Sequence, residues 1–97
     1  MTGSQPLKYK AEPADRLLVE PLDAITLIYQ RRSGITHMVA EPVPEILTAM
    51  GSDVLDANAV AIRLASQFEL NDAEAIHIVA ARLEEMAALG LVERVHA

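Results

Sequence analysis

The segment from residue 25 to residue 44, with the sequence ITLIYQRRSGITHMVAEPVP, constrains the fold of this chain more than any other. Its two short runs Ile25–Tyr29 and Ile35–Val39 are rich in β-branched and aromatic residues, which favour strands. Between them, Ser33 and Gly34 are typical of a turn, because glycine accepts a positive φ angle without steric cost. The segment therefore predicts a β-hairpin.

Both strands of this hairpin carry apolar residues on both faces. Leu27 and Ile28 must point to opposite sides of the sheet, and so must Met38 and Val39, because side chains alternate along a strand. We expect one face to pack on helices. The other face then needs a cover, which the N-terminal segment, a second copy of the chain in a homodimer, or a ligand would supply.

The segment before the hairpin divides into a tail and a strand. Residues 1–15 are polar and contain Pro6 and Pro13, so we expect a flexible N-terminal tail there. The run Arg16–Glu20 is apolar enough for a first short strand that ends at Pro21. Residues 16–97 are then expected to form one folded domain, as their length allows.

Three helices are predicted after the hairpin. Proline near residues 42–44 suits a first helical turn, and Gly51 suits the end of that helix. Asp56 is a favoured residue at a helix start, and Asn71 with Glu74 resembles a capping box for a third helix over residues 72–89. The second and third helices form a helix-turn-helix unit. The order predicts an α+β domain, a three-stranded antiparallel sheet followed by three helices.

Composition excludes several classes of protein. Hydrophobic residues make up 52% of the 97 residues and cysteine is absent, which indicates a folded domain without disulfides or thiolate metal sites. The apolar runs are too short for a membrane span, and the first residues lack the apolar core of a signal peptide. We therefore expect a cytoplasmic protein with no membrane contact. The net charge of −6 disfavours nucleic acid as a partner.

No residue pattern indicates catalysis, a metal or a cofactor. His37, His77 and His96 lie on a predicted strand, on a helix and near the terminus, with no close spacing between them. Zinc sites need three or four convergent ligands. The sequence also lacks a histidine paired with a nucleophile and a glycine-rich phosphate loop. We expect a protein that is not an enzyme.

Several short motifs of this sequence resemble those of the PqqD family. The members of this family are small peptide chaperones of winged helix-turn-helix type, also called RiPP precursor recognition elements. The resemblance covers roughly residues 16–95 and is closest to the branch found beside a kinase related to HPr kinase. It is carried by the run Leu18–Asp23, Tyr29, Ser33-Gly34, Thr36-His37, Pro42, Glu45-Ile46-Leu47 and the ending around Leu83-Glu84 and Gly90-Leu91-Val92. No invariant catalytic signature accompanies these motifs.

The resemblance implies a peptide-binding function. In such domains a partner peptide adds as a strand along the third strand, and its side chains enter a cleft beside the third helix, which is β-augmentation. A modifying enzyme, here one related to HPr kinase, then receives the peptide. The implied site consists of Ile35, Thr36, His37, Met38 and Val39 on the strand and Ala75, Ile78 and Arg82 on the helix. Ile78 falls outside the apolar stripe predicted for this helix, which consists of Ile76, Val79, Ala80, Leu83, Met86 and Ala87.

Each of these residues also has a purely structural interpretation. The edge of the third strand could be covered by the N-terminal segment or by a dimer, and Ala75 and Ile78 could belong to a wide buried helix face. Arg82 could simply pair with Glu85 three residues later, or it could meet an acidic residue of a peptide. A winged-helix DNA-binding protein and a scaffold module are the alternative functions, although the predicted third helix carries four acidic residues against Arg82 alone.

Overall fold

The computed structural model describes residues 7–68 and 75–95 and shows an α+β fold. The fold contains two three-stranded antiparallel sheets and three helices. The elements are strand β1 (Lys8–Ala11), a 3₁₀ turn (Ala14–Arg16), β2 (Leu17–Leu22), β3 (Ile25–Gln30), β4 (Ile35–Val39), helix α1 (Val43–Met50), β5 (Val54–Asp56), α2 (Ala57–Phe68), α3 (Ala75–Ala88) and β6 (Val92–Val95). None of the helices in the described ranges has the length and apolar character needed to cross a membrane.

The predicted hairpin is confirmed as β3 and β4, and β3 is the central strand of a three-stranded sheet. Its strand order is β2-β3-β4, with Leu17 opposite Gln30 and Gln30 opposite Ile35. The β3–β4 turn ends at Gly34, whose φ angle of 74° lies in the region that favours glycine. The first strand, expected at Arg16–Glu20, runs two residues further and includes Pro21.

The prediction of a flexible tail over residues 1–15 is wrong for the described residues of this segment, which contain strand β1. Strand β1 is the central strand of a second sheet with the order β5-β1-β6. Tyr9 and Ala11 are buried, whereas Lys10 between them is exposed, so the segment has the two-residue period of a half-buried strand. The alternating segment is only four residues long and lies between two prolines. The strands that pair with it are about 45 and 85 residues away along the chain.

The predicted order of three strands followed by three helices is therefore wrong, although the α+β class is confirmed. Strand β5 lies between α1 and α2, and β6 follows α3. Both strands pair with β1, which therefore connects the start of α2 to the end of α3. The predicted helix starts and stops are otherwise close. Asp56 caps α2 by accepting a hydrogen bond from the backbone N–H of Ala59 at 2.8 Å. The predicted capping box at Asn71 and Glu74 lies outside the described residues.

The end of α3 ties the helices to the hairpin sheet. Gly90 ends the helix with a φ angle of 80°, and the N–H of Leu91 bonds the carbonyl of Met86 at 2.9 Å in a Schellman-type ending. The buried amide of Gln30 donates to the carbonyl of Gly90 at 2.8 Å. Arg32 adds an ion pair with Glu12 at 3.0 Å. One face of the β2-β3-β4 sheet is thereby held against the core.

The core is aliphatic, as the low aromatic content requires. Ile28 and Val39 from the hairpin sheet meet side chains from all three helices and from β1 and β6 in one cluster. The fully buried members with the largest side chains are Ile28, Ile46, Met50, Leu64, Leu83, Met86 and Leu91. The packing of these residues in the core determines which faces of β4 and α3 remain exposed to solvent.

Candidate functional site

Strand β4 forms an edge of the hairpin sheet. It pairs with β3 on one side, and no strand within the described ranges pairs with it on the other. An edge strand presents unpaired backbone N–H and C=O groups to any extended chain that approaches. Residues Ile35, Thr36, His37, Met38 and Val39, predicted as the strand half of the site, are the five residues of β4.

The hydrogen-bonding pattern of the sheet identifies which backbone groups of β4 point outward. The N–H of Arg31 donates to the carbonyl of Arg16 at 2.9 Å, so this opposed pair is a hydrogen-bonded one. Because hydrogen-bonded and non-bonded pairs alternate in an antiparallel ladder, Ile28 bonds toward β4 and its partner His37 bonds back. The N–H and C=O groups of Thr36 and Met38 therefore point to the open edge.

The same alternation applies to the opposite edge of the sheet, which β2 forms. There the outward positions are Leu17, Val19 and Pro21. Proline has no N–H, and it commonly occurs on edge strands where it prevents further pairing. The β2 edge is thus one donor short, and β4 is the better template for an added strand.

The core-facing side chains of β4 become more exposed toward the hairpin turn. Val39 is buried, His37 is half-buried and Ile35 is exposed, and all three lie on the face that packs on the core. Thr36 and Met38 lie on the opposite face. An added strand would therefore find space beside Ile35 and His37 on the core side.

The helical half of the predicted site forms one strip along α3. Ala75, Ile78 and Arg82 follow the spacing of three and four residues that places side chains on one helix face. Ile78 is 44% exposed, while Val79 next to it is buried. This confirms that Ile78 lies off the buried stripe. Ile76, predicted within that stripe, is instead at the margin of the exposed surface.

A shallow open depression of about 360 Å³ lies on this strip. Its lining comes from His77, Ile78, Ala81 and Arg82, and no residue of β4 contributes to it. The main packing partners of α3 are α2, β6 and α1. The two halves of the predicted site are thus connected at the hairpin end, through the hydrogen bond from Gln30 to Gly90, and are not packed on each other.

Two polar groups on the predicted site residues are buried without a partner among the described residues. They are the Nε2 atom of His37 and the Nε atom of Arg82. The terminal nitrogen of Arg82 meets Glu85 at 2.7 Å, as the sequence spacing predicts, so the guanidinium is only partly satisfied. Buried polar groups usually have a hydrogen-bonding partner, and these two atoms could accept or donate one to a ligand.

A second polar cluster on α3 was not foreseen from the sequence. The hydroxyl of Tyr9 donates to Glu84, which also binds Arg94 at 2.7 Å. The hydrogen bond from Arg94, and then that from Tyr9, holds the pKa of Glu84 below its usual range. Burial, followed by the hydrogen bond with Glu84, raises the pKa of Tyr9 to about 12. This cluster joins β1, α3 and β6, and its role is structural.

The two histidines in the described part of the chain lie on different elements. His37 lies on β4, His77 lies on the exposed side of α3, and His96 is outside the described residues. Across residues 7–68 and 75–95, no group of three or more histidine, aspartate or glutamate side chains is arranged to hold a metal ion.

Comparison with known proteins finds no family model, no curated protein and no solved structure that matches this chain.

Proposed function

We propose that this chain is a peptide-binding adaptor of the PqqD type, which captures an extended segment of a partner protein as an added strand on β4. The sequence motifs that resemble this family support the proposal. On this proposal a modifying enzyme, related to HPr kinase, receives the bound peptide, and the adaptor supplies affinity without a reaction of its own.

The open edge of β4 is the observation that carries the proposal. Thr36 and Met38 offer two N–H and two C=O groups in the spacing that a further strand requires. Met38 is 70% exposed, so its backbone and side chain are accessible. The opposite edge at Pro21 is less suited, which favours a single binding position.

The strip on α3 would form the second wall of the binding groove. Ile78 presents an apolar side chain that has no place in the core, and the depression beside it offers a pocket for a side chain of the peptide. The half-buried imidazole of His37 and the partly exposed guanidinium of Arg82 would bind polar groups of the same peptide once a side-chain movement exposes their unpaired atoms, which are buried in the free protein. Apolar anchoring at Ile78 with backbone pairing at β4 is the usual division between selectivity and affinity in β-augmentation.

We infer that the helical half is a winged helix-turn-helix in which the wing is completed by β1. The order α1, β5, α2, α3, β6 supports this inference, and β1 pairs with both β5 and β6. DNA binding is the second candidate function for such a fold. The charges weigh against it, because the described part of α3 carries Glu84 and Glu85 against Arg82 alone and the whole chain has a net charge of −6.

A random-peptide display library can supply the ligand for the test. The best selected peptide is titrated into the ¹⁵N-labelled protein, and we expect amide shifts at residues 36–39 and 75–82. Ile78→Glu should weaken binding by roughly 30-fold or more, the effect of losing one interface hot spot. Ile62→Glu is the matched control, since Ile62 is an exposed apolar residue (62%) on α2.

Backbone pairing is tested by two matched proline substitutions. Met38→Pro and Val19→Pro each remove an outward-pointing N–H from an edge strand, and neither breaks a bond of the β2-β3-β4 ladder. Only Met38→Pro should abolish binding of the selected peptide. Equal affinity of the two variants, or amide shifts confined to other surfaces, would reject the groove. Salt-sensitive binding to duplex DNA in place of peptide would favour the second candidate.

A further inference from the structure

The hairpin sheet has a second face that no described element covers. Residues at alternate positions of β2, β3 and β4 point to this side, which we call the outer face. Its exposed apolar side chains, each between 37% and 70% exposed, are Leu18, Leu22, Ile25, Tyr29 and Met38. Leu27 lies at its centre and is half-buried. We propose that the outer face is a homodimer interface that packs against the same face of a second copy.

The size of the outer face suits a second copy. Its exposed apolar side chains present roughly 500 Å² in total, which is at the upper end of what single soluble chains leave uncovered. Two such faces would bury roughly 1,000 Å² together, the lower limit for a specific interface. Two sheets packed face to face at about 10 Å are also a common protein architecture. We expect a dimer that forms reversibly in the micromolar range.

The charges at the ends of the outer face favour a second copy in a reversed orientation. Arg16 and Arg31 face each other across the ladder at one end, by their register positions, and both are exposed. Glu20 and Asp23 lie in the other half, toward the β2–β3 turn. A two-fold axis that runs across the strands reverses their direction, so the basic end of one copy meets the acidic half of the other. Self-complementary contacts of this kind are what two-fold symmetry requires.

The proposed dimer leaves the edge of β4, where the peptide would bind, uncovered. Face-to-face packing covers the side chains that point away from the core, whereas an added strand on β4 lies beside the sheet in its plane. The proposed axis crosses the sheet near its middle, between the rows of Leu18 and Glu20, so Glu20 lies across from Leu18 of the other copy and close to Glu20 of that copy. The dimer is therefore independent of the peptide-binding proposal, and each can fail without the other.

Sedimentation equilibrium of the full chain provides the first test. We expect the apparent mass to rise from 10.5 kDa toward twice that value as the concentration rises from 5 to 500 μM, in roughly the range set by a micromolar dissociation constant. Leu18→Glu should weaken association at least tenfold, since it places a carboxylate in the basic half of the outer face, opposite the acidic half of the other copy. Ile62→Glu adds the same charge to an exposed apolar site on α2 and should leave association unchanged.

Cysteine cross-linking tests the orientation, because the chain has no cysteine of its own. With a bismaleimide whose reach of about 10 Å matches the spacing of two facing sheets, Glu20→Cys should form a cross-linked dimer, while Ile62→Cys should stay monomeric. A mass of 10.5 kDa at every concentration would overturn the proposal and leave the outer face to a different partner. Association that survives Leu18→Glu, or equal cross-linking of the two cysteine variants, would overturn it as well.

Discussion

The hydrogen bond between Tyr9 and Glu84 leads to a sharp prediction about stability. It connects the central strand of the second sheet to α3, and Tyr9 is only 4% exposed. Tyr9→Phe removes the hydroxyl and leaves the ring in place. At pH 7 we expect this change to lower the free energy of unfolding by about 2 kcal/mol, the usual value for a hydrogen bond to a charged group.

The same bond makes the effect depend on pH. Burial and Glu84 raise the pKa of Tyr9 from 10.0 to about 12, so the folded state favours the neutral hydroxyl. A raised pKa stabilises the fold fully below the unfolded pKa of about 10, and that stabilisation is lost as the pH rises toward 12. At about 1.36 kcal/mol per pKa unit the loss is at most about 2.7 kcal/mol, and screening by solvent at the exposed Glu84 reduces it to about 2 kcal/mol.

Urea unfolding followed by circular dichroism at 222 nm, at steps between pH 7 and pH 12, measures both effects. The difference between the original protein and Tyr9→Phe should stay near 2 kcal/mol up to pH 10 and approach zero by pH 12. Tyr29→Phe is the control, because Tyr29 lies on the outer face, and it should show the same alkaline loss as the original protein. A difference that stays constant across this range would refute the assigned role of the Tyr9 hydroxyl.

Two further substitutions test how the helices are bounded. Gly90→Ala should lower the free energy of unfolding by more than Gly34→Ala. Both glycines have positive φ angles, which cost an alanine about 1–2 kcal/mol. Only at Gly90 would the new Cβ also lie 3.3 Å from the amide of Gln30. Equal unfolding free energies for the two variants would contradict the close approach. Asp56→Ala should lose about 1 kcal/mol by removing the cap of α2, while Asp56→Ser should retain most of it; thermal unfolding of both variants checks this.

Local elements could be predicted from the sequence because their signals are local. The β3–β4 hairpin depends on two β-prone runs and the turn that ends at Gly34, and the start of α2 depends on Asp56. Interactions within a few residues determine each of these features. The edge position of β4 was implied only by the resemblance to the PqqD family, because a local pattern does not show on which side of a hairpin a further strand pairs.

The second sheet could not be predicted, because its pairing connects distant segments. Strand β1 has only the alternation of Lys8, Tyr9, Lys10 and Ala11 to indicate it, and its register with β6 depends on how α3 delivers the chain to Val92. The ion pair between Arg32 and Glu12 arises in the same way. Such contacts have no local signature and form only when the core packs.

The candidate site shows the same division. Sequence spacing placed Ile78 off the buried stripe of α3 and predicted the contact of Arg82 with Glu85, and both are confirmed. The unpaired atoms of His37 and Arg82 could not be foreseen, because they result from burial by residues elsewhere in the chain. Whether a peptide binds between β4 and α3 remains the proposal that the titration tests.

The amino-acid sequence by itself determined the hairpin, the three helices and the apolar character of both faces of the sheet, since propensity, capping and two-residue alternation act over short distances. Only the tertiary structure decided which face is covered and which edge is open. That decision depends on the packing of α3, on the bond from Gln30 to Gly90 and on the pairing of β1, each of which joins residues far apart in the chain.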